Sequence, residues 1–276
     1  MTKLALAAAL AGAALIATPA AAQDNDSWTG FYVGGHIGYG FQPSDDGETI
    51  LFDTNLDGTY GDTVNTSAPA NAFSPGFCGG AAVTTAPAGG CDDDRDGIEG
   101  GVQLGYDYQT SGGFVIGGVA DYDRTRLRDS VSAFRTTPAR YTMTRRLRDT
   151  ASFRLRAGYA AGRTLFYATG GFAYGNIRNS FSTSNTANAF TNNGNEHGWG
   201  YVFGGGVERK LGSNFSIGLQ YLYRSIDAGD YVVRAGPGTA PLTNPFRIVN
   251  PNGTDFSRSG DRFTAHAVQA SFNYRF

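Results

Sequence analysis

Lysine is nearly absent from this 276-residue chain: Lys3 and Lys210 are the only two, and the rest of its 22 basic residues are arginine. Cysteine is as sparse, at Cys78 and Cys91, and so is histidine, at His36, His197 and His266. Three scattered histidines without ligand spacing do not read as a zinc site. No G-x-S-x-G is present, which excludes the nucleophile elbow of the α/β-hydrolases. Long apolar runs are missing too. Beyond residue 16 no stretch approaches the roughly 20 continuous apolar residues of a membrane helix. That excludes a helical membrane protein and leaves strands, whose alternating faces cancel in any average of hydropathy.

The single apolar run stands at the start. Lys3 gives a short positive region, Leu4 to Ile16 are apolar, and Thr18-Pro19-Ala20-Ala21-Ala22 form a small-residue cleavage site before Gln23. This is the layout of a secretory signal peptide over residues 1–22, too short to span as a helix. The expected fold is then one domain, residues 23–276, in an exported and oxidising setting. There Cys78 and Cys91 are expected to form a disulfide.

The chain is rich in glycine and aromatics, with 40 Gly, 19 Phe and 15 Tyr. The aromatics fall in period-2 runs, the pattern of half-buried strands. Eight runs are legible: Gly30–Phe41, Ile98–Gln109, Gly113–Asp123, Ser152–Ala160, Thr164–Gly175, Gly198–Arg209, Asn214–Ser225 and Arg262–Phe276. In the last, Val268, Ala270, Phe272, Tyr274 and Phe276 oppose Gln269, Ser271, Asn273 and Arg275. Each run is long enough to cross a bilayer as a tilted strand of about 9–11 residues. Connections alternate between short (110–112, 161–163, 210–213) and long (42–97, 124–151, 176–197, 226–261). Short turns on one side and long loops on the other are the asymmetry of an outer-membrane barrel. The expected fold is all-β, an eight-stranded antiparallel up-and-down transmembrane β-barrel with long extracellular loops.

In hydrocarbon every backbone polar group must be paired within the protein, so the first run must close on the last. An eight-stranded barrel has room inside for side chains and little more. The inward set contains Gln103, Asp107, Asp121, Arg154, Arg156, Glu208, Gln220, Arg224 and Arg275. Arginine's planar fork suits carboxylates. The expectation is a packed lumen network in which Arg154 and Arg156 pair with Glu208 and also engage Asp121. The alternative for the same charges is an ion path. A soluble lipocalin-like barrel is the rival at the level of fold, and it keeps an apolar interior.

Several short blocks carry a resemblance: Trp28-Thr29-Gly30-Phe31-Tyr32-Val33-Gly34-Gly35, Gly101-Val102-Gln103-Leu104-Gly105-Tyr106, Arg154-Leu155-Arg156-Ala157-Gly158-Tyr159, Gln220-Tyr221-Leu222-Tyr223 and the closing Asn273-Tyr274-Arg275-Phe276. In this order the chain resembles the small outer-membrane-protein β-barrel family of bacterial surface antigens, porin-family or opacity-like, over essentially all of residues 23–276. The resemblance implies an OmpA-like barrel exposed at the cell surface of the outer membrane, in contact with its lipids and lipopolysaccharide. It also implies that the terminal aromatic Phe276 is the signal read by the barrel-assembly machinery. The first loop is long and acidic for that family, and no cell-wall-binding domain is expected.

Two acidic stretches of the first loop match the start of a calcium loop, alternating oxygen ligands followed by Gly. They are Asp53, Asn55, Asp57 before Gly58, and Asp92, Asp94, Asp96 before Gly97. Neither has Glu at position twelve, where Val64 and Gln103 stand; Glu99 and Asp62 are the nearby substitutes. The readings are a weak calcium site or a solvated acidic loop; no other cofactor is implied. The second loop is basic, with Arg124, Arg126, Arg128, Arg135, Arg140, Arg145, Arg146 and Arg148, and is read as a contact for lipopolysaccharide phosphates or for the acidic first loop. Export excludes nucleic acid as its partner. Some eight-stranded barrels are lipid-modifying enzymes with Ser two residues after a catalytic His; here Val268 follows His266 at that spacing, which argues against an enzyme. Three functions remain in order: a structural and surface-interaction barrel, a narrow porin-like channel, and a lipid-modifying enzyme. Oligomeric state has no signature in the sequence.

Overall fold

The computed structural model describes residues 27–43 and 47–276, so the expected signal peptide lies outside the described residues. Sixteen strands follow in order: β1 (Gly30–Phe41), β2 (Ile50–Asp53), β3 (Gly76–Gly79), β4 (Ala81–Ala82), β5 (Cys91–Asp92), β6 (Gly97–Gln109), β7 (Phe114–Arg124), β8 (Arg128–Arg135), β9 (Ala139–Ala161), β10 (Thr164–Thr183), β11 (Ala189–Asn192), β12 (Glu196–Lys210), β13 (Phe215–Asp227), β14 (Val233–Gly236), β15 (Thr254–Arg258) and β16 (Arg262–Arg275). Eight of them, β1, β6, β7, β9, β10, β12, β13 and β16, pair antiparallel in ring order, and β1 closes on β16. Closure leaves the ring without an edge, as hydrocarbon demands.

The alternation read in the sequence sets the two walls. Phe31, Ile37, Leu155, Phe172, Trp199, Leu219 and Phe276 stand on the outside, with Phe172 73% and Trp199 70% exposed. The opposite parity is buried and polar. Glycine lets bulky inward neighbours fit. At Gly105 a Cβ would lie 2.3 Å from Cζ of Tyr32, so the Tyr32 ring occupies space that only glycine leaves. Gly162, at φ 57, supplies the left-handed position in the tight turn between β9 and β10.

The long connections are more ordered than loops. β9 runs 23 residues and β10 runs 20, so both continue beyond the membrane-spanning runs. The alternation at Tyr141 and Met143 foreshadows this for β9; no expectation from the sequence does so for β10. The strand before them breaks after Arg124 and resumes as β8, which pairs with the upper half of β9. A second sheet, β11-β14-β15-β2, stands beside that extension. Between them lies an apolar core drawn from all four long connections: Phe52 and Phe73 from the first, Tyr141 and Met143 from the second, Phe190 from the third, Phe246 and Phe256 from the fourth. The β-hairpin of β4 and β5 is pinned by the Cys78–Cys91 disulfide, as the sequence predicts.

Candidate functional site

The barrel interior concentrates the buried charge. Near its lower end Arg156 donates through Nη2 to Glu208 Oε2 at 2.8 Å and through Nη1 to Tyr32 Oη at 3.0 Å. Arg275 donates from Nη2 to Asp107 Oδ2 at 2.8 Å and to Glu208 Oε1 at 3.0 Å. Ser216 and Asn273 also donate to Glu208 Oε1. Both guanidiniums lie on aromatic faces: Arg156 is 4.1 Å from the Tyr167 centroid and Arg275 is 4.7 Å from that of Trp28. Stacking and charge-assisted hydrogen bonds together replace the lost hydration of these ions.

A second cluster lies higher. Arg224 grips Glu99 with both terminal nitrogens, at 2.8 and 3.2 Å, and approaches Asp123 at 3.4 Å. His36 Nε2 is 2.5 Å from Asp123 Oδ1. Gln269 donates to Glu99 and Asp123, while Gln220 donates to Gln269 Oε1 at 2.7 Å. Gln220 joins the two clusters, its Oε1 accepting from Tyr167 Oη at 3.2 Å and from Arg154 Nη1 at 3.4 Å, and Arg154 lies 3.4 Å from Asp121. Bidentate and bridged geometry of this kind fixes side chains against one another.

Apolar layers stand at both ends of this network. Below it, Trp28 packs with Val115, Ala160 and Leu165, and its indole donates to the Gly162 carbonyl at 3.3 Å. Above it, Leu127, Leu147, Ile177, Leu222, Ile226 and Phe263 meet across the interior. Over that layer sits a further ionic group. Arg145 lies over the Phe263 ring and pairs with Asp129 at 2.5 Å and Glu48 at 3.1 Å, while Arg258 pairs with the same two carboxylates. Burial raises the Glu48 pKa, with Arg258 working against it. Burial also works to raise that of Asp129, but Arg258 and Arg145 outweigh it and hold the carboxyl below its ordinary value. Asp94, which accepts the Ser130 N–H at 2.7 Å, is pushed up to about 7 by burial and by the nearby Asp129 carboxylate.

The expected lumen residues Asp121, Arg154, Arg156, Glu208, Gln220 and Arg224 all point inward and are buried. One pairing differs. Of the two β9 arginines expected on Glu208, Arg156 reaches it; Arg154, one pleat nearer the upper end of β9, meets Asp121 instead. Glu99 is another correction: it is a lumen residue clasped by Arg224, not a substitute ligand of the acidic loop. His36 and Asp123 were not singled out by sequence, although each shares the inward parity of its strand, with Tyr32 and Asp121 respectively.

Side chains of both acidic stretches accept hydrogen bonds from the chain itself. The Asp53 carboxylate accepts backbone N–H groups of Leu56, Asp57 and Gly58, and Asn55 Oδ1 and Asp57 Oδ1 accept those of Asp57 and Thr59. In the second stretch Asp92 ends β5, Asp94 turns to Ser130, and Asp96 accepts the Gln42 N–H at 3.0 Å. Among the described residues no three acidic, His or Cys side chains are gathered as a metal would need. The first stretch is a turn whose own backbone amides take up the Asp53 carboxylate oxygens.

The chain is 30% identical over 140 residues to the 31 kDa outer-membrane immunogenic proteins of Brucella melitensis and Brucella suis, an alignment covering 50% of this chain and 58% of each relative. Among solved structures it is similar to the outer membrane protein OprG of Pseudomonas aeruginosa, at 12% identity and a TM-score of 0.45, over 91% of this chain and 99% of that one. It is also similar to Neisserial surface protein A, at 10% identity and a TM-score of 0.35, over 90% and 98%. The family model for the outer membrane protein beta-barrel domain matches residues 8–276, the whole of the closed barrel and its cap. The chain therefore belongs to the outer membrane protein beta-barrel domain family and is an integral β-barrel of the outer membrane.

Proposed function

We infer that this protein is a non-enzymatic envelope and surface protein whose barrel is plugged by its own side chains and whose ordered cap is the part offered to the outside. The observation that supports the reading is the layering along the axis: the Trp28 layer, the arginine–carboxylate network, the Leu127–Phe263 layer, then the Arg145–Arg258 ion group. An ion crossing this stack must break bidentate pairs and pass two apolar layers, each without hydration. Phe276 fits the assembly role, at the end of an outward row with Phe272 and Tyr274 and with its N–H on the Phe31 carbonyl at 3.0 Å.

Planar-bilayer recording on the refolded chain tests the reading against the narrow-channel alternative. No reproducible single-channel steps are expected from the wild-type protein. Steps that disappear on Arg156→Gln or Glu208→Gln would sink the plugged-lumen reading.

A further inference from the structure

The outer wall of the cap carries arginines that take no part in the lumen. Antiparallel pairing sets Arg95 opposite Arg128, Arg128 opposite Arg146, and Arg146 opposite Arg178. Directly opposed residues point to the same face, with Cβ atoms about 4.5–5.5 Å apart. Four guanidinium-bearing side chains thus rise side by side from four adjacent segments. Arg148 is the extra residue of the bulge between Asn176 and Ile177, and bulges re-aim side chains out of the regular alternation. With Arg126, these arginines line one open concavity of about 720 Å³. The acid on its wall, Asp96, accepts the Gln42 N–H.

The row is electrostatically unfavourable by itself. Among the described residues, none of the six arginines makes a side-chain hydrogen bond or an ion pair, whereas Arg124 nearby pairs with Asp149 at 3.1 Å. Like charges directly opposed across strands destabilise a sheet. Burial, and then the neighbouring Arg146 and Arg95, lower the Arg128 pKa. An anion laid across the row removes the repulsion and engages several planar forks that match phosphate oxygens.

Height on the wall identifies the anion. On β10, outward-facing Phe172 and Tyr174 precede Arg178. Tyr174 packs against Trp199 at 5.1 Å and His197 at 5.9 Å. Aromatic girdles of this sort sit at the membrane–water interface. At about 3.3 Å per residue, the row stands up to about 13 Å further along the tilted strand, on the outside of the barrel, at the depth of lipid headgroups.

We propose that the Arg95–Arg128–Arg146–Arg178 row, flanked by Arg126 and Arg148, binds the phosphate groups of a phosphorylated glycolipid of the outer leaflet and holds that headgroup against the cap wall. The proposal rests on the reading of the cap as outward-facing. Its test uses the full chain in phosphatidylcholine nanodiscs titrated with bisphosphorylated lipid A. The triple variant R128S/R146S/R178S is expected to bind at least about tenfold more weakly, and R146K to keep most of the affinity. Lipid A stripped of its phosphates is expected to bind wild type and triple variant alike, and weakly. A heat-modifiable gel shift for each variant shows that the barrel is folded. Wild-type affinity in the triple variant, or undiminished binding of the dephosphorylated lipid, overturns the proposal. So does inorganic pyrophosphate binding as tightly as lipid A, which would assign the row to soluble anions. The triple variant leaves the lumen untouched, so its failure leaves the plugged-lumen reading standing, and conductance by the wild type leaves this site standing.

Discussion

At the scale of residues, the interior is decided by which carboxylate each arginine reaches. Glu208 is shared by Arg156, Arg275, Ser216 and Asn273. Removing its charge leaves two buried guanidiniums with Asp107 as their remaining carboxylate. Glu208→Gln is expected to destabilise the barrel by about 3–5 kcal/mol, the typical cost of breaking a buried pair. Urea unfolding in detergent, followed by the heat-modifiable band, measures it. Arg209→Gln is the comparison: Arg209 bonds Thr164 Oγ1 on the outer wall, and its loss is expected within about 0.5 kcal/mol. Parity alone placed Arg156 and Glu208 inside, because a one-residue slip flips a side chain to the other face. Their partnership was half legible. Strand tilt decides which inward residues share a level, so Arg154 fell to Asp121. Glu99 was misread because its neighbours Asp94 and Asp96 suggested an acidic loop, although its spacing from Gln103 and Asp107 puts it on the lumen face.

At the scale of elements, the cap behaves as a second small structure built on the barrel's rim. β3 is a four-residue strand on the outer edge of β8, and the hairpin of β4 and β5 follows it. Only the disulfide ties the two ends of this segment covalently, over 13 residues. A closed loop of that length contributes about 3 kcal/mol to local stability in the chain-entropy account. The double variant C78S/C91S is expected to cleave faster between residues 76 and 92 under limited proteolysis, with the barrel's heat-modifiable shift unchanged. An unchanged cleavage rate would mean that pairing to β8 alone holds the segment. The sequence showed the strands of the membrane span because their alternation is continuous. It did not show β2, β11, β14 or β15, which are four or five residues long and owe their form to the shared Phe52–Tyr141–Phe256 core.

At the scale of the whole molecule, barrel and cap meet through the ion group over Phe263, and its titration couples cap stability to pH. Asp94 titrates near 7 in the folded chain against an ordinary value of 3.8. The folded state holds that proton more tightly than the unfolded state. Its contribution to stability is therefore full below about pH 4 and is lost as pH rises towards 7. Glu48, also raised, acts in the same sense. Asp129, lowered, acts in the opposite sense and loses its contribution as pH falls. The cap is expected to be more open to protease at pH 8 than at pH 5, and Asp94→Asn to flatten that difference; an unaltered profile in the variant would remove Asp94 as its source. The sequence by itself determined the transmembrane class, the eight strands, the inward and outward faces and the closing pair β1 and β16. Those follow from local periodicity and from the rule that hydrocarbon leaves no backbone group unpaired. Only the tertiary structure decided that Arg154 meets Asp121, that Asp94 turns to Ser130, that four long connections share one core, and that Arg95, Arg128, Arg146 and Arg178 stand in a row. Each of these depends on register between segments distant in the chain, and register is a property of the closed sheet rather than of any one strand.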